Sequence, residues 1–258
     1  MAQPVTSVRI YPTLESMSRA VAVCFQALIA RHTGDNGEFS VCLSGGSTPK
    51  ALYQLLAAEF ADTINWRGLR FYWGDERYVS HGDPANNFRL ARDTLLDKVN
   101  VSSEHVFPMP THHAELDDAA QEYEATLRRE FHAGSPTFDL VLLGVGEDGH
   151  TASLFPGSHA IDEERRWVVR TEAPTEPVTR LSLTFPVLNS AACIYVLVSG
   201  DAKAKVVRQT LAGPPGDRPL PVERIQPRDG QLVWWMDEAA ASLLGQTDGL
   251  NIQRFQNG

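Results

Sequence analysis

The chain is poor in cysteine, with three in 258 residues. Cys24, Cys42 and Cys193 each sit inside an apolar segment and make no CxxC or Cys/His spacing, so they read as buried thiols of a reducing compartment. Positive charge is in deficit: 23 Lys and Arg stand against 32 Asp and Glu, a formal charge of -9. That argues against a broad grip on nucleic acid or on an anionic membrane, while leaving room for a few local cations to hold a small anion. Long apolar runs are missing too. The most apolar, "AVAVCFQALIA", is short and contains Gln26, and no basic n-region followed by an apolar h-region opens the chain. A cytoplasmic protein with neither nucleic-acid nor membrane partner is expected. No low-complexity linker interrupts the sequence, which predicts one domain over 1–258. Also absent are GxxxxGK[ST], HExxH and G-x-S-x-G, and the loop "SGGSTPK" is not a GxGxxG fingerprint. Nothing therefore points to a P-loop, a metal site or a serine nucleophile.

What is present alternates between strand-like and helix-like segments. Leu14, Met17, Val21, Cys24, Phe25 and Leu28 recur at helical spacing after Thr13, a candidate N-cap. "FSVCL" then reads as a strand, followed by a helix at Pro49 with Ser47 or Thr48 as cap. "LRFYW" is a strand, and a helix with Phe88, Leu90, Leu95 and Leu96 follows Asn86 and Asn87. A helix over Glu115 to Phe131 leads to the strand "FDLVLLG". "RWVVRT", "RLSLTF", "CIYVLVS" and "LVWWM" read as further strands, "DAKAKVVRQTL" and "DEAAASLL" as helices, and "AGPPGDRPLP" as a surface loop. Apolar strands alternating with helices predict an α/β fold, a largely parallel sheet with helices on both faces. Ligands of such sheets bind beyond the carboxyl ends of the strands. Four segments stand there: "SGGSTP", "GDERY", "GVGEDGH" and "SGDAK".

In "SGGSTPK", Gly45 and Gly46 expose backbone N-H groups at a helix start while Ser44, Ser47 and Thr48 add hydroxyls. That is an anion cradle, or else only a capped turn. "GDERY" delivers Asp75, Glu76 and Arg77 together; Arg77 offers a fork of donors to a phosphate or oxyanion, unless the segment is a salt-bridged surface turn. In "LLGVGEDGHTASLFPG", His150 lies beside Asp148 among four glycines. It suits a general base near neutral pH, with Asp148 orienting the imidazole or a bound water; a structural histidine is the plainer alternative. His32, His81, His105, His112, His113, His132 and His159 lie on helix ends or polar connections and read as surface residues. Arg180 opens "RLSLTF". Lys203 starts a helix, where a cation opposes the helix dipole and favours an anionic ligand.

Together "LSGGSTPKALYQLL", "WGDERYV", "NNFRLARDTLL", "LLGVGEDGHTASLFPG", "RLSLTFPVLNSA" and "SGDAKAKVV" resemble the 6-phosphogluconolactonase family, within the glucosamine-6-phosphate isomerase/6-phosphogluconolactonase superfamily. The resemblance implies a Rossmann-like fold and hydrolysis of 6-phospho-D-glucono-1,5-lactone to 6-phosphogluconate in the oxidative pentose phosphate pathway, with no cofactor. It places the phosphate of this phosphosugar lactone near Ser44 to Thr48 with Arg180 and Lys203. It makes His150 the base that activates water, with Asp148 beside it and Arg77 in the same pocket. Two rivals share parts of this pattern. A glucosamine-6-phosphate deaminase would carry an acid-bearing loop like "GHIAFNEP", where this chain has Leu154, Phe155 and Pro156, and a "DEY" pattern in place of "GDERY". A non-catalytic sugar-phosphate sensor would not need a histidine beside an acid. A monomer is expected.

Overall fold

The computed structural model describes residues 6–33, 37–131, 136–214, 218–245 and 250–256. His132 and part of the "AGPPGDRPLP" loop lie outside them. Five segments read as strands from their apolar runs form a contiguous block of the main sheet that ends at the β3 edge: β2 (Phe39–Leu43), β3 (Leu69–Trp73), β5 (Leu140–Leu143), β8 (Cys193–Val198) and β9 (Gln231–Asp237). Two more, β1 (Thr6–Tyr11) and β10 (Asn251–Arg254), complete the order β10-β1-β9-β8-β5-β2-β3. Every pairing in it is parallel.

Helices flank this sheet: α1 (Leu14–Thr33), α2 (Ser47–Glu59), α3 (Asn87–Thr94), α4 (Leu116–Phe131), the single turn α5 (Phe185–Leu188) and α6 (Ala204–Ala212). Thr13 caps α1 as expected. Its Oγ1 accepts the Ser16 N-H at 3.1 Å and the Ser16 Oγ accepts the Thr13 N-H at 3.1 Å, a reciprocal box that satisfies two donors. Asn86 caps α3 through the Arg89 N-H at 2.9 Å. Trp66, Trp73, Trp235, Tyr53, Tyr72, Phe39 and Phe71 are fully buried around the sheet. Truncating any one aromatic to alanine is expected to cost about 3–5 kcal/mol.

Three expectations are corrected. "RWVVRT" and "RLSLTF" do form strands, β6 (Val168–Glu172) and β7 (Thr179–Leu183), but with β4 (Asp75–Arg77) they make a separate antiparallel sheet of order β4-β7-β6. An apolar run fixes that a strand is buried and says nothing of its partner's direction. "DEAAASLL" forms turns rather than a helix. The Asp237 carboxylate takes up the Ala240 N-H at 2.8 Å, so its chain starts as a capped turn that does not propagate. The three thiols are free, but only Cys42 and Cys193 are buried; Cys24 is half-buried and accepts from the Arg9 guanidinium at 3.4 Å. Among the described residues no helix is long and apolar enough to cross a membrane.

Candidate active site

β8, β5, β2 and β3 are neighbours, so the loops leaving their carboxyl ends meet. They enclose a cavity of about 210 Å³.

The loop after β2 supplies Ser44, Gly45, Gly46, Ser47 and Thr48 to its wall. Helix α2 begins at Ser47, and its N-cap is Gly46, with φ at +104° and no side chain capping the end. Capping by Ser47 or Thr48 is therefore not observed: both lie within the first turn, one and two residues past the cap position. An L side chain at Gly46 would be strained at that φ, whereas glycine adopts it freely. The first turn keeps its unpaired N-H groups and the positive end of the helix dipole at the cavity wall, a ready site for an anion. Tyr53, one turn further along α2, holds the loop in place. Its hydroxyl donates to the Ser44 carbonyl at 2.7 Å and accepts the Ser44 N-H at 3.2 Å.

The segment after β3 brings β4. Asp75 and Arg77 line the cavity, and the Arg77 guanidinium is steadied by the Ala85 carbonyl at 2.9 Å. Directly across the strand pair from Arg77 stands Arg180. Arg180 is buried, is absent from the cavity wall, and has one guanidinium nitrogen without a hydrogen-bond partner. Burial, and next the charge of Arg77, lower its pKa from the ordinary value. Like charges directly opposite destabilise a strand pair, and Asp75, Glu76 and Glu176 act on Arg180 in the opposite sense. Glu76, fully buried, accepts the N-H groups of Arg77, Asn87 and Phe88 at 2.7, 2.6 and 2.8 Å. Burial pushes its carboxyl up to about 8, against the pull of those three donors.

The loop after β5 carries His150 onto the wall, and there the Asp148 Oδ1 lies 2.5 Å from the His150 Nδ1. The same oxygen accepts the His150 N-H at 3.1 Å. A carboxylate at Nδ1 selects the tautomer with its proton there, which leaves Nε2 as the free base. Gly146 lies against the pair: a Cβ on it would fall 2.0 Å from Nδ1. The ring of Phe155 covers His150, centroids 4.5 Å apart. Ser153, in the same loop, donates to Asp75 at 2.6 Å and ties the two loops together.

From β8, Lys203 reaches the wall and makes no ion pair among the described residues. Thus the structure gathers Ser44 to Thr48, Arg77, His150 and Lys203 around one cavity. Asp148 stands off the wall as the partner of His150, and Arg180 stands beside Arg77. Asp75 and Asn87 also line the cavity; Asp75 stands in the candidate segment "GDERY" without a role of its own, and Asn87 reads from the sequence only as a helix start. The repeated asparagine of "NNF" was the available signal, absorbed by its reading as a helix start.

A family model described as glucosamine-6-phosphate isomerases/6-phosphogluconolactonase matches residues 12–234. The chain belongs to this family. It is 37% identical over 225 residues to a protein named 6-phosphogluconolactonase from Synechocystis sp., an alignment covering 86% of this chain and 91% of the relative. The solved structure of 6-phosphogluconolactonase from Leishmania guyanensis superposes with a TM-score of 0.84 at 30% identity, covering 94% of this chain and all of that one. A monomeric glucosamine-6-phosphate deaminase shares the fold at 21% identity and a TM-score of 0.76, over 92% of this chain and 99% of the other. The fold is thus shared with a deaminase and does not by itself fix an activity.

Proposed function

We propose that the chain hydrolyses 6-phospho-D-glucono-1,5-lactone to 6-phosphogluconate, as a monomer and without a cofactor. The observation that carries this reading is the His150–Asp148 pair on the wall of a cavity that also holds an uncapped helix start and the cations Arg77 and Lys203. The phosphate is held at the first turn of α2, with Lys203 and Arg77 supplying charge. His150 Nε2 takes a proton from water as the water oxygen attacks the lactone carbonyl, and donors near the carbonyl oxygen stabilise the tetrahedral anion. As the intermediate collapses, the bond from the carbonyl carbon to the ring oxygen breaks. The His150 imidazolium returns the proton to that oxygen, giving the acid and a free hydroxyl. Asp148 keeps the imidazole in the basic tautomer throughout and stabilises its charged form.

The loop after the histidine favours this reading over deamination. Opening an aminosugar ring calls for a carboxylate there, and this chain places the buried apolar residues Leu154 and Phe155 instead. The test is a coupled assay with freshly generated lactone, spontaneous hydrolysis subtracted. His150→Ala is expected to lower kcat roughly 100- to 10,000-fold, the usual worth of a positioned base, with the fold intact by circular dichroism. Near-normal turnover in that variant, or ammonia release from glucosamine 6-phosphate by the native chain, sinks the assignment.

A further inference from the structure

Away from the cavity, a second group of imidazoles and carboxylates converges. The segment leading into α4 ends in His112 and His113, whose rings lie 4.4 Å apart at 31°. Glu122, in the second turn of α4, turns its carboxylate back to the Nε2 of His113. One ligand atom from each of His112, His113 and Glu122 lies within 4.8 Å of the others. The group is not a casual surface pair. His113 is half-buried, and its carbonyl accepts the Tyr78 hydroxyl at 2.8 Å, so the backbone on one side is fixed. Glu122 is fixed on the other side by its helix.

We propose that His112, His113 and Glu122 form a site for a divalent transition-metal ion of the zinc type, outside the catalytic cavity. Two imidazole nitrogens and one carboxylate oxygen suit zinc and leave a fourth position for water, whereas calcium and magnesium demand mostly oxygen ligands. Around a tetrahedral zinc the ligand atoms stand roughly 3.4 Å apart, which follows from bonds of about 2.0–2.1 Å. Closing the group therefore takes about an ångström of side-chain movement, and the exposed His112 and Glu122 are free to make it. Asp118, whose charge acts with that of Glu122 on Tyr78, adds to the local negative field. The bound ion joins the segment before α4 to the helix itself. Through the contact of His113 with Tyr78 it also braces the end of β4, beside Arg77. Its role is that of a clip, and it requires no step in the lactone chemistry.

The test is calorimetric titration of the full chain, freed of metal by a chelator, with zinc chloride in a non-coordinating buffer. Magnesium chloride is the control. Because His150 and Asp148 offer another nitrogen–oxygen pair, His150→Gln is titrated alongside. The expected result is one saturable zinc site in the native chain and in His150→Gln, no magnesium binding, and a zinc-dependent rise in Tm. In His112→Ala and in Glu122→Gln the zinc Kd should rise at least about tenfold, since even losing the partner of a ligand commonly costs that much. Both positions are exposed, so these variants keep the fold. Absence of saturable binding overturns the proposal, as does native-like titration of either variant or loss of the site in His150→Gln.

Discussion

Gly146 shows how closely the His150–Asp148 pair, the proposed base and its partner, is fitted. Its backbone needs no special φ, yet a methyl group there would stand 2.0 Å from the His150 Nδ1 and 2.5 Å from the Asp148 Oδ1. Both atoms are committed to each other, so neither side chain can recede without breaking the bond that selects the tautomer. Gly146→Ala is therefore expected to reduce kcat by an amount approaching that of removing the base, on the order of 100-fold or more. KM should stay near the native value, because on the proposed reading the phosphate is held elsewhere. Steady-state kinetics decide it, and native kcat in this variant would show that the pair tolerates displacement. Lys203 is expected to behave oppositely. A cation that holds a phosphate equally in ground and transition states contributes to binding alone, so Lys203→Ala should raise KM and leave kcat unchanged. A pure loss of kcat would move Lys203 into the chemical step. At this scale the sequence was informative because chemistry at a loop is written in residue types. His150, Asp148 and Lys203 were legible beside their glycines, whereas Asn87 and Asp75 were not, since their cavity positions depend on contacts across loops. Arg180 was legible as a cation, but its burial beside Arg77 follows from a strand register that no local pattern encodes.

Among the elements, β4 and α3 are joined by one carboxylate. Glu76 collects the first N-H groups of α3 together with that of Arg77, and Asn87 then donates to the Asp75 carbonyl at 3.0 Å. A Cβ on Gly45 would lie 1.8 Å from the Asn87 Oδ1, so the same helix start presses on the anion loop. "GDERY" and "NNF" thus belong to a single device that sets Arg77 against the first turn of α2. The device has a pH signature. The Glu76 carboxyl has its folded value raised to about 8 from an ordinary 4.5. The folded chain then binds more protons than the unfolded one between those values. The stability this supplies is complete below the unfolded value and is lost as pH rises through the folded value. Denaturant unfolding at pH 5.5 and pH 8.5 is expected to show a larger fall in stability for the native chain than for Glu76→Gln, which keeps the shape and cannot ionise. Equal falls in both proteins would mean that the three N-H donors, not burial, govern this carboxyl. Elements whose own residues dictate burial, such as β2 and β3, were read from the sequence with their observed bounds. β10 was not, because "NIQR" is mostly exposed and becomes a strand only by pairing with β1.

For the whole molecule, two electrostatic fields compete over an anionic substrate. The chain carries -9 overall, which opposes the approach of a phosphosugar, while on the proposed reading Arg77 and Lys203 attract it inside the cavity against the carboxylate of Asp75 on the same wall. The net charge is spread over the entire surface, and at physiological salt its reach is limited by a Debye length of about 8 Å. The cavity cations act at contact distance, where the dipole of α2 adds to them. Local attraction should therefore dominate binding. Added salt screens it, and KM for the lactone is expected to rise with ionic strength while kcat stays level. The sign is the test. Were the net charge in control, salt would relieve repulsion and KM would fall. Lys203→Ala should flatten the rise, because one of the two screened charges is gone, and an unchanged slope in that variant would remove Lys203 from the phosphate site. The composition alone pointed away from anionic ligands of large size and left small ones open. The parallel sheet bears on that tension by carrying four loops of one polypeptide to a single edge, where Arg77, Lys203 and the start of α2 stand together on one cavity wall; a KM that rises with salt is the outcome expected if they outweigh the charge excess elsewhere.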